Sequence, residues 1–318
     1  MTEETAMTDI TRRAALAAGA GLAAAPLLGA GQAAAQAAAP AFHRVALGGL
    51  EAVIVTDGIA VRPDATQGFI TNATPAQVAA AMQAAGMPGT ALNNPFNVTV
   101  VKTPRGLVML DVGRGVQGSQ MLANMRAAGL DPAQVVLIAH THFHGDHIGG
   151  LTDAAGQAVF PNVPVMVPER EWAFWNDAGE ESRATEARRP GFANVRAKFA
   201  PYRDRVTTFR PGAEVAPGIT AVGTEGHSPG HVSFLVADGG AQLLVIGDVV
   251  NAPAFFMANP EWVPIFDMDP PRAVEARKRL LDRAATDRLQ VVGYHFPMPA
   301  TGRVERAGTG YRLVPANA

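Results

Sequence analysis

The chain has 318 residues, of which 48% are hydrophobic and 17% charged, with a formal net charge of −2 and no cysteine. Such a composition builds a core, and it supplies no basic field to hold nucleic acid or an anionic membrane. Without cysteine there are no disulfides, thiolate metal sites or thiol nucleophiles, so any metal must be held by His, Asp or Glu, a set that suits zinc, manganese or iron.

Thr11-Arg12-Arg13 precedes a weakly apolar Ala/Gly/Leu run to Leu28, and Ala35-Gln36-Ala37 has the small-x-small form of a cleavage site. This order resembles a twin-arginine export signal over residues 1–37, which makes the Tat machinery a partner and the periplasm the expected location. Pro26 and the glycines interrupt the apolar run, so stable membrane insertion is not expected. Residues 38–318 remain, about 280 in all, and are expected to form a single catalytic domain.

From Phe42 onward strand and helix signals alternate. Val45–Thr56 reads as a strand pair, and residues 57–96 as an irregular stretch with one helix. Thr74 is the expected N-cap of that helix, Pro75 its first residue and Ala85 its end. Asn97–Lys102 and Leu107–Asp111 read as a hairpin split by Pro104-Arg105-Gly106. Gly118–Ala128 is helical in pattern, and the apolar run Val135–Ala139 predicts a strand buried on both faces. Val163–Val167, Ile219–Val222, His231–Ala237 and Gln242–Ile246 read as strands, Pro168–Trp175 and Pro271–Ala284 as helices, and Leu289–Gly293 as a last buried strand. That order predicts an α/β sandwich of two sheets with helices outside.

The first apolar strand of the middle region ends at His140-Thr141-His142-Phe143-His144-Gly145-Asp146-His147. Four metal-type ligands within six residues are too costly to bury as packing alone. Side chains at i and i+2 of an extended segment share a face, so His142 and His144 can close on one ion while Asp146 and His147 turn toward a second. Three more segments pair a strand with a tight turn and a ligand-type residue: Gly226-His227-Ser228-Pro229-Gly230-His231, Ile246-Gly247-Asp248 and Gly293-Tyr294-His295. Pro229 and Gly230 are placed for a type II turn. Ligands offered from several strand ends make a rigid set.

HxHxDH, then GHSPGH, then a strand ending in Gly-Asp, then a late strand ending in His resembles the metallo-β-lactamase superfamily, over about residues 45–300. The resemblance implies the αβ/βα four-layer sandwich, with two central mixed sheets and outer helices. It implies two divalent ions, zinc being the expected metal. His142, His144 and His227 would hold the first, Asp146, His147 and His295 the second, and Asp248 would bridge them. Asp111 matches a strand-end Asp that is structural. His231 is expected to orient the turn or a ligand, His140 to be packed or to support a ligand, and His43 to lie at the surface.

Two ions about 3.5–4 Å apart can share a hydroxide and stabilise charge on an electrophile, so the expected activity is hydrolysis, with Asp146 and Asp248 as the catalytic carboxylates. Residues 247–251, 259–262, 266–270, 279–282 and 294–299 look like the methyl parathion hydrolase group, which sits beside quorum-quenching lactonases. Lactones, carboxylic esters and organophosphates are then the expected substrates. Asn251 departs from that pattern: many acyl-homoserine lactonases have Tyr there, and methyl parathion hydrolase has His. Phe255, Phe256, Trp172 and Trp175 are candidate pocket walls for a small neutral or apolar substrate, with Phe69, Phe96 and Met257 as lesser candidates. Glu180-Glu181 and Arg188-Arg189 read as a solvated helix face. A phosphodiesterase or β-lactamase-like enzyme is the alternative on the same metals, a mononuclear iron sulfur dioxygenase a further one, and a catalytically silent metal-binding protein the last. Relatives of this kind commonly form homodimers, though no stripe in this sequence marks an interface.

Overall fold

The computed structural model describes residues 41–115 and 117–316. The twin-arginine segment lies outside the described residues. Fourteen strands occur in chain order: β1 (Phe42–Leu47), β2 (Leu50–Arg62), β3 (Leu92–Thr103), β4 (Gly106–Leu110), β5 (Val135–Ala139), β6 (Val165–Pro168), β7 (Val206–Phe209), β8 (Glu214–Ala216), β9 (Ile219–Gly223), β10 (Val232–Asp238), β11 (Ala241–Val245), β12 (Gln290–Val292), β13 (Thr301–Ala307) and β14 (Gly310–Pro315). The helices are α1 (Pro75–Ala84), α2 (Met121–Ala127), α3 (Gly145–Ile148), α4 (Glu169–Trp175), α5 (Ala178–Arg183), α6 (Arg189–Phe199), α7 (Pro253–Phe256) and α8 (Pro270–Thr286).

β1 to β7 form one sheet in sequence order, and β14 to β8 form the other. Both are mixed. In the first, β4, β5, β6 and β7 run parallel. In the second, β9 and β11 each pair antiparallel with β10, and β12 runs parallel to β11. The C-terminal ends of β9, β11 and β12 therefore share one edge of their sheet. β2 shows how one strand serves two layers, because side chains alternate with period two. Ala52 and Ile54 join Phe234, Val236 and Leu243 of the opposite sheet, whereas Val53 and Val55 join Met121 and Met125 of α2. The result is the expected sandwich of two sheets between helices. Among the described residues no helix is long and apolar enough to cross a membrane.

Several boundaries differ from the sequence pattern. The stretch after residue 57 is not irregular: β2 continues to Arg62 and pairs with β3 from Leu92, across a bulge between Thr56 and Ile59 that breaks the alternation. The bulge has a use. Asp57 accepts hydrogen bonds from the backbone N–H of Arg114, Gln120 and Met121, so it caps α2 from a distant strand, and that helix starts at Met121 instead of 118. Val136 is 40% exposed, so β5 is not buried throughout. β12 is not the last strand. β13 and β14 follow as a hairpin with a mostly exposed polar face, which carries little apolar signal.

Candidate metal centre

The fold brings the seven ligand-type side chains together from four strand ends, with Asp111 beside them from a fifth. Asp111 follows β4, His142 to His147 follow β5, His227 follows β9, Asp248 follows β11 and His295 follows β12. Three overlapping groups are able to hold a metal: His142, His144 and His227; His142, His147 and Asp248; and Asp146, His147 and His295. Within each group the ligand atoms lie within 4.8 Å of one another. Asp248 stands between the outer two groups. Its Oδ2 is 3.4 Å from His227 Nε2 and 3.0 Å from His295 Nε2, and its Oδ1 is 3.2 Å from His147 Nε2.

The donor set fits a cation. His142 Nε2, His147 Nε2 and Asp248 Oδ1 are buried without a hydrogen-bond partner. Buried polar atoms are ordinarily satisfied, and these three converge where an ion would satisfy them. Burial and the neighbouring imidazoles hold His142 and His144 well below the usual histidine range, which keeps them in the neutral form that binds metal. Burial also opposes protonation of His147 and His295, but Asp248 and Asp146 outweigh it and raise both. The carboxylates thus call for positive charge on their side of the cluster.

Several of the ligands are held from behind. Asp111, a non-glycine residue at φ 64°, accepts from the Thr141 N–H at 2.8 Å and from Thr141 Oγ1 at 2.8 Å, and lies 2.8 Å from His147 Nδ1. His231 Nε2 accepts from the Asp248 N–H at 3.1 Å while Nδ1 meets Thr224 Oγ1 at 2.9 Å. Burial and His227 push His231 down to about 3, so its ring stays neutral and keeps that acceptor. Asp111 and His231 thus sit behind the ligands, His231 on Asp248 and Asp111 on His147. His295 Nδ1 is 2.8 Å from the Pro95 carbonyl. His140 is packed against Phe143 and Phe199, and His43 is half-buried on β1.

Four further residues, none marked as a support by the sequence pattern, hold the cluster. Asp267 lies 2.9 Å from His227 Nδ1 and accepts from Arg277 at 2.9 Å. Arg277, only 1% exposed, also donates to the carbonyls of Val249, Pro260 and Trp262. Tyr294 stacks on His147 with ring centroids 3.8 Å apart and donates to the Asp146 carbonyl at 2.6 Å. Glu171 accepts from the N–H of Phe143 and Gly230, Trp175 Nε1 and Ser228 Oγ, which ties α4 to both histidine loops. The expected type II turn is not formed there, because Gly230 is not in the left-handed conformation. Glycine is needed for a different reason: a Cβ would lie 2.2 Å from the Glu171 nitrogen.

A cavity of about 730 Å³ opens over the cluster and is lined by His144, Asp146, Asp248 and His295, with Phe96, Trp175, Ile265, Phe266 and Met268 as apolar walls. Phe255 and Phe256 are not among them. They are fully buried on α7, edge-on to Phe69 at 6.0 and 5.9 Å, because that turn directs both rings into the core. Met257 is buried as well. Trp172 packs on Phe143 and Phe199 instead of the cavity. Arg188, expected on a solvated face, lines the cavity, whereas Glu181 forms a surface ion pair with Arg196. A larger cavity of about 900 Å³ near α1 and β14 carries none of the seven ligand-type residues.

Comparison with known proteins gives a consistent picture. The profile described as metallo-beta-lactamase superfamily matches residues 94–295. N-acyl homoserine lactonase AttM of Azorhizobium caulinodans is 33% identical over 187 residues, 55% of this chain and 64% of that protein, so the match spans less than two thirds of the relative. N-acyl homoserine lactonase AiiA of Bacillus thuringiensis subsp. kurstaki is 26% identical over 61% of this chain and 68% of its own length. Among solved structures, the dizinc quorum-quenching lactonase AidC, in complex with a homoserine product, superposes with a TM-score of 0.81 at 22% identity, covering 87% of this chain and 98% of its own. The hydrolase AbOPH in the beta lactamase superfamily superposes with a TM-score of 0.80 at 25% identity and the same coverage.

Proposed function

Because the chain belongs to the metallo-β-lactamase superfamily, we propose that it is a two-metal hydrolase of lactones or carboxylic esters, with organophosphate triesters as secondary substrates. The observation that carries this reading is the overlap of the ligand groups, with Asp248 in contact with histidines on both sides. In this reading His142, His144 and His227 hold one ion, Asp146, His147 and His295 the other, and Asp248 lies between them. Zinc suits such a nitrogen and oxygen set.

Two divalent ions bound there would supply Lewis acidity and bring the pKa of water down to about 7. The chain's own groups do the rest. Asp146, whose side chain is 27% exposed, faces the cavity and can orient a water or return a proton to the leaving oxygen. Asp248 and the histidines fix the reacting centre at the floor, and the apolar walls exclude water and receive a neutral substrate. Lactones are favoured within this class by the relatives' names. The twin-arginine pair Arg12-Arg13 supports a periplasmic location in this reading.

The test is turnover by metal-loaded protein of γ- and δ-lactones, an aryl ester, a phosphotriester, a phosphodiester and a β-lactam, with the metal counted. Chelator-sensitive lactone or ester turnover with two ions per chain is expected, and His142→Ala or Asp248→Ala abolishes it and lowers bound metal. Preference for the phosphodiester or β-lactam overturns the substrate class. One iron per chain without hydrolysis points to a dioxygenase. Near-wild-type activity in either variant overturns the site.

A further inference from the structure

We propose that Arg188 gives the cavity a subsite for an anion, so that the preferred substrate is a lactone or ester carrying a carboxylate apart from its scissile bond; this rests on the lactone and ester reading above. Arg188 is half-buried and lines the same cavity as Asp146, Asp248 and His295. It is the one arginine or lysine of that lining among the described residues, and the acids there, Asp146 and Asp248, both belong to the ligand cluster. Two divalent ions would outweigh those two carboxylates, which leaves the Arg188 charge without an opposite in the cavity. Among the described residues Arg188 forms neither an ion pair nor a side-chain hydrogen bond, whereas its neighbours do. Glu180 pairs with Arg183, Glu181 pairs with Arg196, and Arg189 donates to the Ala184 carbonyl at 3.2 Å.

The backbone that carries Arg188 is fixed. The N–H groups of Arg188 and Arg189 both donate to the Thr185 carbonyl at 3.0 Å, and the Gly191 N–H donates to the Arg188 carbonyl at 2.9 Å. Gly191 packs against Trp175, where a Cβ would lie 2.8 Å from the indole ring. Trp175 is tied to Glu171, and its ring stands 6.5 Å from that of His144. Arg188 therefore belongs to the wall beside the first histidine group. It pairs with neither Asp146 nor Asp248, so its guanidinium stands off the cluster and meets a substrate away from the scissile carbonyl. A planar guanidinium with free N–H groups matches a carboxylate. The carboxylate released by hydrolysis forms at the cluster, so the anion at Arg188 is one that the substrate brings. The apolar walls take the carbon chain between the two.

Two measurements on metal-loaded protein test this. Calorimetry gives Kd for adipate and suberate against hexanoate and octanoate, with no chemistry involved. Kinetics give kcat/KM for a γ-lactone whose alkyl tail ends in a carboxylate against the same lactone ending in a carboxamide. Both are run on wild type, Arg188→Gln and Arg188→Lys, with bound metal and thermal midpoint recorded. Wild type is expected to favour the dicarboxylates and the anionic lactone by about 5–10-fold, a charge-assisted bond discounted for its contact with water. The preference shrinks as salt is raised. Arg188→Gln brings both ratios close to unity, and Arg188→Lys keeps part of them. Wild type without the preference, or Arg188→Gln that keeps it, overturns the subsite and leaves the lactone reading standing. Equal weakening of monocarboxylates and dicarboxylates in Arg188→Gln assigns the residue to the carboxylate at the cluster and overturns the subsite as well. Failure of metal-loaded wild type to open either lactone overturns the lactone reading and the substrate named here, and the dicarboxylate preference then decides the subsite by itself.

Discussion

Asp267→Asn is the change that tests how the first histidine group is held. One Asp267 oxygen faces His227 Nδ1 at 2.9 Å and the other accepts from Arg277 Nη2 at 2.9 Å. Both Asp267 and Arg277 are buried. An asparagine offers one acceptor in place of two and turns an N–H₂ toward either the guanidinium or the imidazole N–H. Losing a hydrogen bond to a charged group costs about 1.5–3 kcal/mol. At about 2–4 °C per kcal/mol, the midpoint falls by roughly 3–12 °C. Asp267→Ala leaves the buried guanidinium without its counter-charge and costs more, about 3–5 kcal/mol. His227 also loses the partner that fixes its tautomer, and removal of such a partner lowers metal affinity about 10–100-fold. Thermal unfolding in excess chelator reads the first effect, and chelator competition the second. Wild-type metal affinity in Asp267→Asn would refute the reasoning.

Three further outcomes follow from the same contacts. Tyr294→Phe keeps the stack on His147 but leaves the Asp146 carbonyl without its donor; a loss of about 1–3 kcal/mol is expected in urea unfolding, with kcat lowered more than KM, and an unchanged midpoint would count against it. Gly230→Ala places a Cβ against the Glu171 backbone; it should cost about 1–3 kcal/mol or more and disturb the flanking His227 and His231, visible as lower metal content. Burial pushes the Glu171 carboxyl above the ordinary range, and its four donors offset this only in part. The folded state therefore holds that proton more tightly than the unfolded chain. Its contribution is fully present below the unfolded pKa and falls as pH rises through the folded one. The stability gap between wild type and Glu171→Gln should accordingly be larger at pH 4 than at pH 7, and a gap that widens toward pH 7 would sink the assignment.

The ligand-type residues were legible because metal chemistry demands few residue types and four of them fall within six positions after one strand. The other three each announce themselves by a strand, a glycine and a His or Asp. Their supports were not legible, for a physical reason. Asp267 meets His227 across 40 residues, Glu171 meets Ser228 across 57, and Tyr294 meets Asp146 across 148. An Asp, Glu or Tyr in a loop or short helix has no local mark that such a partner exists. Asp57 was hidden in the same way, by the bulge that lets it cap α2.

The pocket shows the limit from the other side. Nearness in sequence to Asp248 made Phe255 and Phe256 look like walls, yet the direction of a side chain is set by the turn that carries it, and α7 points both inward. The apolar walls, Phe96, Trp175, Ile265, Phe266 and Met268, come from β3, α4 and the loop before α8. Those segments meet only when the two sheets pack. Metal chemistry can therefore be written into short motifs, whereas the surface that chooses a substrate is assembled from distant positions of ordinary composition.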